Sequence, residues 1–126
     1  MNVTNNSSLG LILHGALFED DTLTATGAIT LAAGTLLGRI TASGKLREYT
    51  SGAVDGSQVP VTVLPHEVVF TAAGDKPIRP IIAGRLRRGK LVAHGVGAIT
   101  QAEADALRNY GIIAQATTQL AEQDNQ

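Results

Sequence analysis

At 126 residues the chain has the length of one domain; 44% of it is hydrophobic, yet only Phe18, Tyr49, Phe70 and Tyr110 are aromatic. A net charge of −1 supplies no global field to drive it onto nucleic acid or an acidic membrane. The absence of cysteine excludes a disulfide framework, a thiolate zinc site and a Cys nucleophile.

Each aromatic ring removes roughly 150–250 Å² from water, so a core this poor in rings predicts modest stability for a lone subunit. Burial between subunits would offset that, which favours an oligomer over a monomer with an ordinary aliphatic core. The apolar run Leu9–Phe18, broken by Gly10, His14 and Gly15, is far shorter than the ~20 residues of a membrane-spanning helix. Met1–Ser8 carries no Lys or Arg, as a signal peptide would require. The chain therefore reads as soluble and unprocessed, with no membrane partner.

Met1–Ser8 is polar, uncharged and aperiodic, and is expected to be loose; its Asn-x-Ser/Thr matches at Asn2, Asn5 and Asn6 are compositional. Leu9–Phe18 suits a strand or an extended arm, Glu19-Asp20-Asp21 an acidic break, and Thr22–Gly27 a polar link. Strands are predicted at Ile29–Leu31 and Leu36–Thr41, the second turning at Ser43-Gly44 into Lys45–Thr50 as a hairpin. After the Ser51–Val59 loop come strands at Val61–Leu64 and Glu67–Thr71, closed by Ala72–Asp75. Lys76–Pro80 reads as an extended link, because its two prolines remove ladder donors. Ile81–Arg87 and Lys90–Ala93 are predicted strands joined at Arg88-Gly89. One helix is well signalled: Thr100-Gln101-Ala102-Glu103 is a capping box, Ala104, Leu107 and Tyr110 fall on one face, and Gly111 is a natural stop. Ile112–Ala116 suits a last strand and Thr117–Gln126 a polar tail. Gly38-Arg39-Ile40 with Gly44-Lys45-Leu46 echoes Gly84-Arg85-Leu86 with Gly89-Lys90-Leu91, explained equally by duplication or by two similar hairpins.

Little here is equipped for catalysis. Gly84–Lys90 has the Gly-x-x-x-x-Gly-Lys outline of a phosphate loop, but Leu91 stands where a magnesium-binding hydroxyl is needed and no helix follows. His14, His66 and His94 lack metal-ligand spacing, and the Asp20-Asp21 acids sit in a break outside any expected pocket. Gly95-Val96-Gly97 has no surrounding βαβ unit, and no nucleophile elbow occurs. No cofactor and no metal is expected, and the chain does not read as an enzyme. The one concentration of charge is Arg79, Arg85, Arg87, Arg88 and Lys90, with no acid between them. A solvated strand face, pairing with carboxylates of a neighbouring subunit or capsid protein, and nucleic-acid contact are its three readings; the last lacks interleaved aromatics.

Two runs carry a family likeness: Ala33-Gly34-Thr35-Leu36-Leu37-Gly38-Arg39 and Asp55-Gly56-Ser57-Gln58-Val59-Pro60-Val61, supported by Ala73-Gly74-Asp75 and Asn109-Tyr110-Gly111-Ile112. In order and spacing the stretch from Ile29 to Ala114 resembles the head decoration proteins of tailed bacteriophages, the lambda-like D family. The resemblance implies a mainly β fold, a bent β-ribbon closing into an incomplete, β-clip-like barrel with one short C-terminal helix. It implies a structural capsid decoration (cement) protein: a homotrimer on the outer surface of the expanded head, bound to the major capsid protein and holding the shell against the pressure of packaged DNA. The site would be the virion and the place of synthesis the host cytoplasm. The family's N-terminal segment often orders only on the shell, in places by adding a strand. The corresponding division is an arm and link at 1–27, a β-rich domain at 28–116 and a tail at 117–126. Candidate capsid contacts are the alternating Leu9, Leu11 and Leu13 of the arm; candidate interface residues are Arg85, Arg87 and Arg88. The competing reading is a small-ligand or carbohydrate-binding β module of a virion, weakened by the scattered aromatics.

Overall fold

Successive residues of a strand face opposite sides of a sheet, and at Leu36-Leu37 this alternation divides the molecule between two cores. The computed structural model, which describes residues 11–115, buries Leu36 on one side and Leu37 on the other. Both belong to β4 (Leu36–Arg39). Its neighbour β6 (Pro60–Val63) does the same: Val63 enters the first core and the next residue, Leu64, enters the second.

The remaining strands assemble around this wall. They are β1 (Ile12–Phe18), β2 (Asp21–Ala25), β3 (Ile29–Leu31), β5 (Leu46–Glu48), β7 (Val68–Phe70), β8 (Gly74–Ile78), β9 (Ile81–Arg87), β10 (Val92–Ala93), β11 (Gly97–Ala98) and β12 (Ile112–Gln115), with the helix α1 (Gln101–Arg108) between the last two. One sheet runs β1-β9-β6-β4-β5-β2-β8, with β12 also paired to β9; β3–β7 and β10–β11 form separate two-stranded pairs. The architecture is mainly β, a curled half-barrel with a single short helix near the C-terminus, as the sequence predicts.

The first core gathers Leu36, Tyr49, Val63, Ile81, Leu86, Leu107 and Ile112 with their neighbours; the second gathers Leu23, Leu31, Leu37, Leu46, Leu64 and Phe70. An isolated helix as short as α1 is unstable in water. It is held here by burial of Ala104 and Leu107 and by its cap: Thr100 Oγ1 accepts from the Glu103 amide at 3.2 Å, and the Thr100 amide donates to Glu103 Oε1 at 2.8 Å. Tyr110 does not join that buried face. The helix ends at Arg108, and tighter i→i−3 bonds through Asn109, Tyr110 and Gly111 leave the ring half-exposed.

Three other expectations are corrected. Thr22–Gly27 is not a link: Asp21–Ala25 is a strand whose Leu23 and Ala25 enter the second core. Nor is Lys76–Pro80, because Gly74–Ile78 pairs along its length with β2. Pro77 is tolerated there because β8 is the last strand of the sheet and needs no donor on its outer side. Ile81–Arg87 and Lys90–Ala93 do not form a hairpin. Arg88–Lys90 is a 3₁₀ turn, after which the Val92 amide donates to the Gly34 carbonyl at 3.0 Å and Val92 pairs with β11. Gly34 permits this approach, since a Cβ there would collide with the Lys90 carbonyl.

The two motif runs lie against each other. A Cβ on Gly38 would sit 2.5 Å from the Ser57 carbonyl oxygen, so only glycine fits under that loop. Ser57 is buried, and Asp55 Oδ1 accepts both its hydroxyl at 2.6 Å and its amide at 3.0 Å. The Thr50 amide donates to the Ser57 carbonyl and the Thr41 amide to the Asp55 carbonyl, closing the clasp. These residues are scaffold: they lock the Thr41–Val59 excursion onto β4.

Candidate interaction surface

The two halves of the molecule treat charge differently. Around the second core, Arg39 Nη2 lies 2.8 Å from Asp21 Oδ2, Lys45 Nζ 2.6 Å from Asp75 Oδ2, Arg47 3.2 Å from Glu48 and 3.5 Å from Asp55, and Arg79 Nε 3.1 Å from Asp20. Lys76 lies over the Phe70 ring, 5.6 Å from its centroid. Burial pushes the Asp21 carboxyl up, but the Arg39 hydrogen bond, the Thr22 amide and the Arg39 charge outweigh it and leave it lowered. Asp55 is lowered mainly by the Ser57 hydroxyl and amide, and Asp75 mainly by Lys45 and Thr24.

At the far end of β9 the pattern changes. Arg85, Arg88 and Lys90 form no ion pair among the described residues. Leu86 points into the first core, so alternation puts Arg85 and Arg87 on the outward strand face. Arg85 is exposed and donates to Gln115 Oε1 at 3.4 Å; Arg87 is half-buried. Arg88 opens the 3₁₀ turn and donates to Gln101 Oε1 at 2.8 Å, while Gln101 in turn donates to Asp105. The three predicted interface residues thus occupy one end of β9, two on the strand and one against the first turn of α1. Glu67 shares a shallow depression with Lys90 and Leu11 without forming an ion pair.

The predicted arm leucines separate. Leu9 lies outside the described residues. Leu11 is buried in the first core, its carbonyl accepting from the Arg87 amide at 2.7 Å, and Leu13 is half-buried in β1. Leu11 is thus committed to its own subunit. The outward apolar side chains of β1 are instead Leu17, 59% exposed, and Phe18, 39% exposed, which sequence reasoning missed. Part of the signal was present, since an apolar run that does not alternate must turn some side chains outward; that both Leu17 and Phe18 do so follows from the irregular register between them, which is not local.

β1 is also one terminal strand of the large sheet, β8 the other. Edge strands discourage unwanted pairing with lysine, proline and short length. β8 carries Lys76 and Pro77, whereas β1, seven residues of Ile-Leu-His-Gly-Ala-Leu-Phe, carries neither lysine nor proline and is broken only by irregularities in its register with β9.

The concave features are shallow. Asp20 and Asp21, expected outside any pocket, line an open depression of about 810 Å³ with His66 and Arg79. That correction follows from β2, which begins at Asp21 and brings the acids beside β8. A second groove of about 680 Å³ lies between β6, Ile82 and Tyr110. Among the described residues no three His, Asp or Glu side chains are placed to hold a metal ion, and no helix is long and apolar enough to cross a membrane.

An interlocked scaffold, an apolar edge strand and exposed basic side chains without ion pairs among the described residues, such as Arg85 and Lys90, suit adhesion. The family model of the bacteriophage lambda head decoration protein D matches residues 12–112. The chain belongs to that family. It is a structural protein of the phage virion, associated with the capsid as a head decoration protein. The match begins at the first residue of β1, further toward the N-terminus than the motif runs alone reach. No curated protein matches the chain.

Proposed function

We propose that this decoration protein binds the outer surface of the expanded phage head as a homotrimer, contacts the major capsid protein, and holds the shell against the pressure of packaged DNA. The observation that carries the reading is the apolar edge of β1, continuous with residues 1–10 and beside Arg85 and Arg88, which form no ion pair among the described residues. An added strand gains main-chain hydrogen bonds at such an edge, and Leu17 and Phe18 supply apolar contact. Arg85, Arg87 and Arg88 offer forked donors to partner carboxylates. One such contact is weak, but three on a rigid trimer gain a factor of ~10²–10⁴ in avidity. Attachment needs no bound cofactor and no nucleic-acid contact. The division into an arm at 1–27, a domain at 28–116 and a tail at 117–126 is part of the same proposal, with β1 and β2 as the arm's anchored portion.

Co-sedimentation with emptied, expanded phage heads tests it. Removing residues 1–10 spares Leu11 and β1, so the subunit keeps its fold; the truncated protein is expected to lose most of its sedimentation with shells. Full-length protein that stays in the supernatant would overturn the proposal, and undiminished binding of the truncated form would remove residues 1–10 from the mechanism. Analytical ultracentrifugation of the full chain tests the trimer.

A further inference from the structure

Asp55-Gly56 is the one Asp-Gly step in the chain. Such a step is chemically labile: with no side chain on the glycine, its amide nitrogen meets little steric resistance in reaching the neighbouring carboxyl carbon. The fold requires the glycine. Gly56 has φ +108°, and a Cβ there would lie 2.5 Å from the Arg39 carbonyl oxygen and 2.9 Å from the Thr41 amide nitrogen. The groups that ring closure would use are nonetheless occupied. Asp55 Oδ1 accepts the Ser57 hydroxyl and amide, and Oδ2 lies 3.5 Å from Arg47 Nη1. The Gly56 amide donates to Gln58 Oε1 at 2.8 Å, and the Asp55 carbonyl accepts from the Thr41 amide at 2.8 Å.

We propose that Asp55-Gly56 is a latent isomerisation site which Ser57 and Gln58 keep closed, Ser57 by fixing the attacked carboxyl and Gln58 by fixing the attacking nitrogen. In the reaction the Gly56 nitrogen bonds to Asp55 Cγ and gives up its proton. The Cγ–O bond breaks and water leaves, forming a five-membered succinimide. Water then returns to open either carbonyl, restoring aspartate or routing the main chain through Cβ as isoaspartate. Only water is exchanged, and the mass of the chain is unchanged. In the clasp the proton on the nitrogen points at an amide oxygen, too weak a base to remove it. The Ser57 hydroxyl and amide, ahead of the Arg47 charge, hold the carboxyl below its ordinary value of 3.8, in the ionised form that is a poor electrophile. Reaction therefore waits on local opening of the clasp. Isoaspartate adds a methylene to the main chain and shortens the side arm, so its carboxylate no longer reaches both Ser57 donors. A clasp that has isomerised stays open, and the Thr41–Val59 excursion comes loose from β4. Nothing in this chemistry depends on what the subunit binds.

The test is prolonged warming of the full chain near neutral pH. Isoaspartate is counted by enzymatic methyl labelling of its free α-carboxyl and placed by peptide mapping. The folded protein is expected to convert Asp55 roughly tenfold or more slowly than the same chain in urea; equal rates would overturn closure by the clasp. Gln58 is exposed, so Gln58→Ala frees the Gly56 amide without disturbing a core residue. It should raise the folded rate by roughly two- to ten-fold, the worth of one hydrogen bond, and a rate equal to that of the unchanged chain would overturn the guard. Ser57→Ala should raise it further; if that variant fails to fold, Gln58→Ala still decides. Thr100→Ala loosens α1, away from the clasp, and should leave conversion of Asp55 unchanged. An increase there matching that of Gln58→Ala would mean that global unfolding sets the rate, and would overturn the local device. In the converted fraction the Thr41 and Thr50 amides, which donate to the Asp55 and Ser57 carbonyls, should lose hydrogen-exchange protection. Retained protection would overturn the locked-open clasp.

Discussion

The two halves of the subunit share the β4–β6 wall but are finished differently at their surfaces. Around the second core, the basic side chains meet carboxylates or an aromatic face, and the sheet ends in a strand guarded by Lys76 and Pro77. Around the first, Arg85, Arg88 and Lys90 form no ion pair among the described residues and the sheet ends in the apolar β1. A half that neutralises its own charges and closes its own edge has little to offer a partner. The half that leaves both open is the one organised for sharing.

The largest effect that sharpens this contrast comes from the wall itself. Leu36→Ala and Leu37→Ala remove adjacent side chains from opposite cores, and each should cost about 2–5 kcal/mol in urea denaturation. Hydrogen exchange should separate them: Leu36→Ala loosens β9, α1 and β12, whereas Leu37→Ala loosens β2, β5 and β7. Identical exchange patterns would mean that the two clusters behave as one core. Gly38→Ala should cost roughly 1–3 kcal/mol, because the new methyl meets backbone held by the Asp55–Ser57 clasp rather than a side chain able to swing away. A neutral result in urea denaturation would show that the clasp gives way. Thr100→Ala removes one helix cap and should cost about 1 kcal/mol, with loss of exchange protection confined to the first turn of α1.

The smallest effects are those of pH, and they have opposite signs in the two halves. Asp21, Asp55 and Asp75 titrate below their ordinary value of 3.8 in the folded protein, so the stability they contribute is complete above that value and drains as pH falls below it. Exchange near pH 3 should show β2, β5 and β8 losing protection before α1. In the first core, burial, helped by the hydrogen bond and charge of Glu103, pushes the Tyr49 phenol up from 10.0 to about 12. Its contribution is complete below about pH 10 and lost as pH climbs through about 12. Phenolate absorbance and circular dichroism should therefore change together in that range. A Tyr49→Phe variant should lose the coupling, and early acid opening of α1 would contradict the assignment of the two halves.

Much of the fold was legible because its signals are local. The β4–β5 hairpin is set by Ser43-Gly44, and α1 by a capping box and a glycine stop, all within a few residues of what they control. β2 and β8 were not, because each becomes a strand only by pairing with the other across some fifty positions, and Pro77 argues locally against it. The 3₁₀ turn at Arg88 was hidden for the same reason: what bends the chain there is the approach to Gly34, far away in sequence. At the surface, the arginines of β9 stood out as charge. That they differ from Arg39 and Lys45 was not visible, since those find Asp21 and Asp75 at separations of 18 and 30 residues. Leu11 looked like part of an arm because nothing local reveals that its carbonyl is fixed by Arg87.

The clasp between Gly38 and the Asp55–Ser57 turn has a practical corollary. It fastens both stems of the Thr41–Val59 excursion to the wall, while Val54 near its tip is 95% exposed. Foreign peptide spliced in beside Val54 would hang from a frame already closed beneath it, as a pendant hangs from a soldered ring, with its length free to vary while the barrel behind it stays in register.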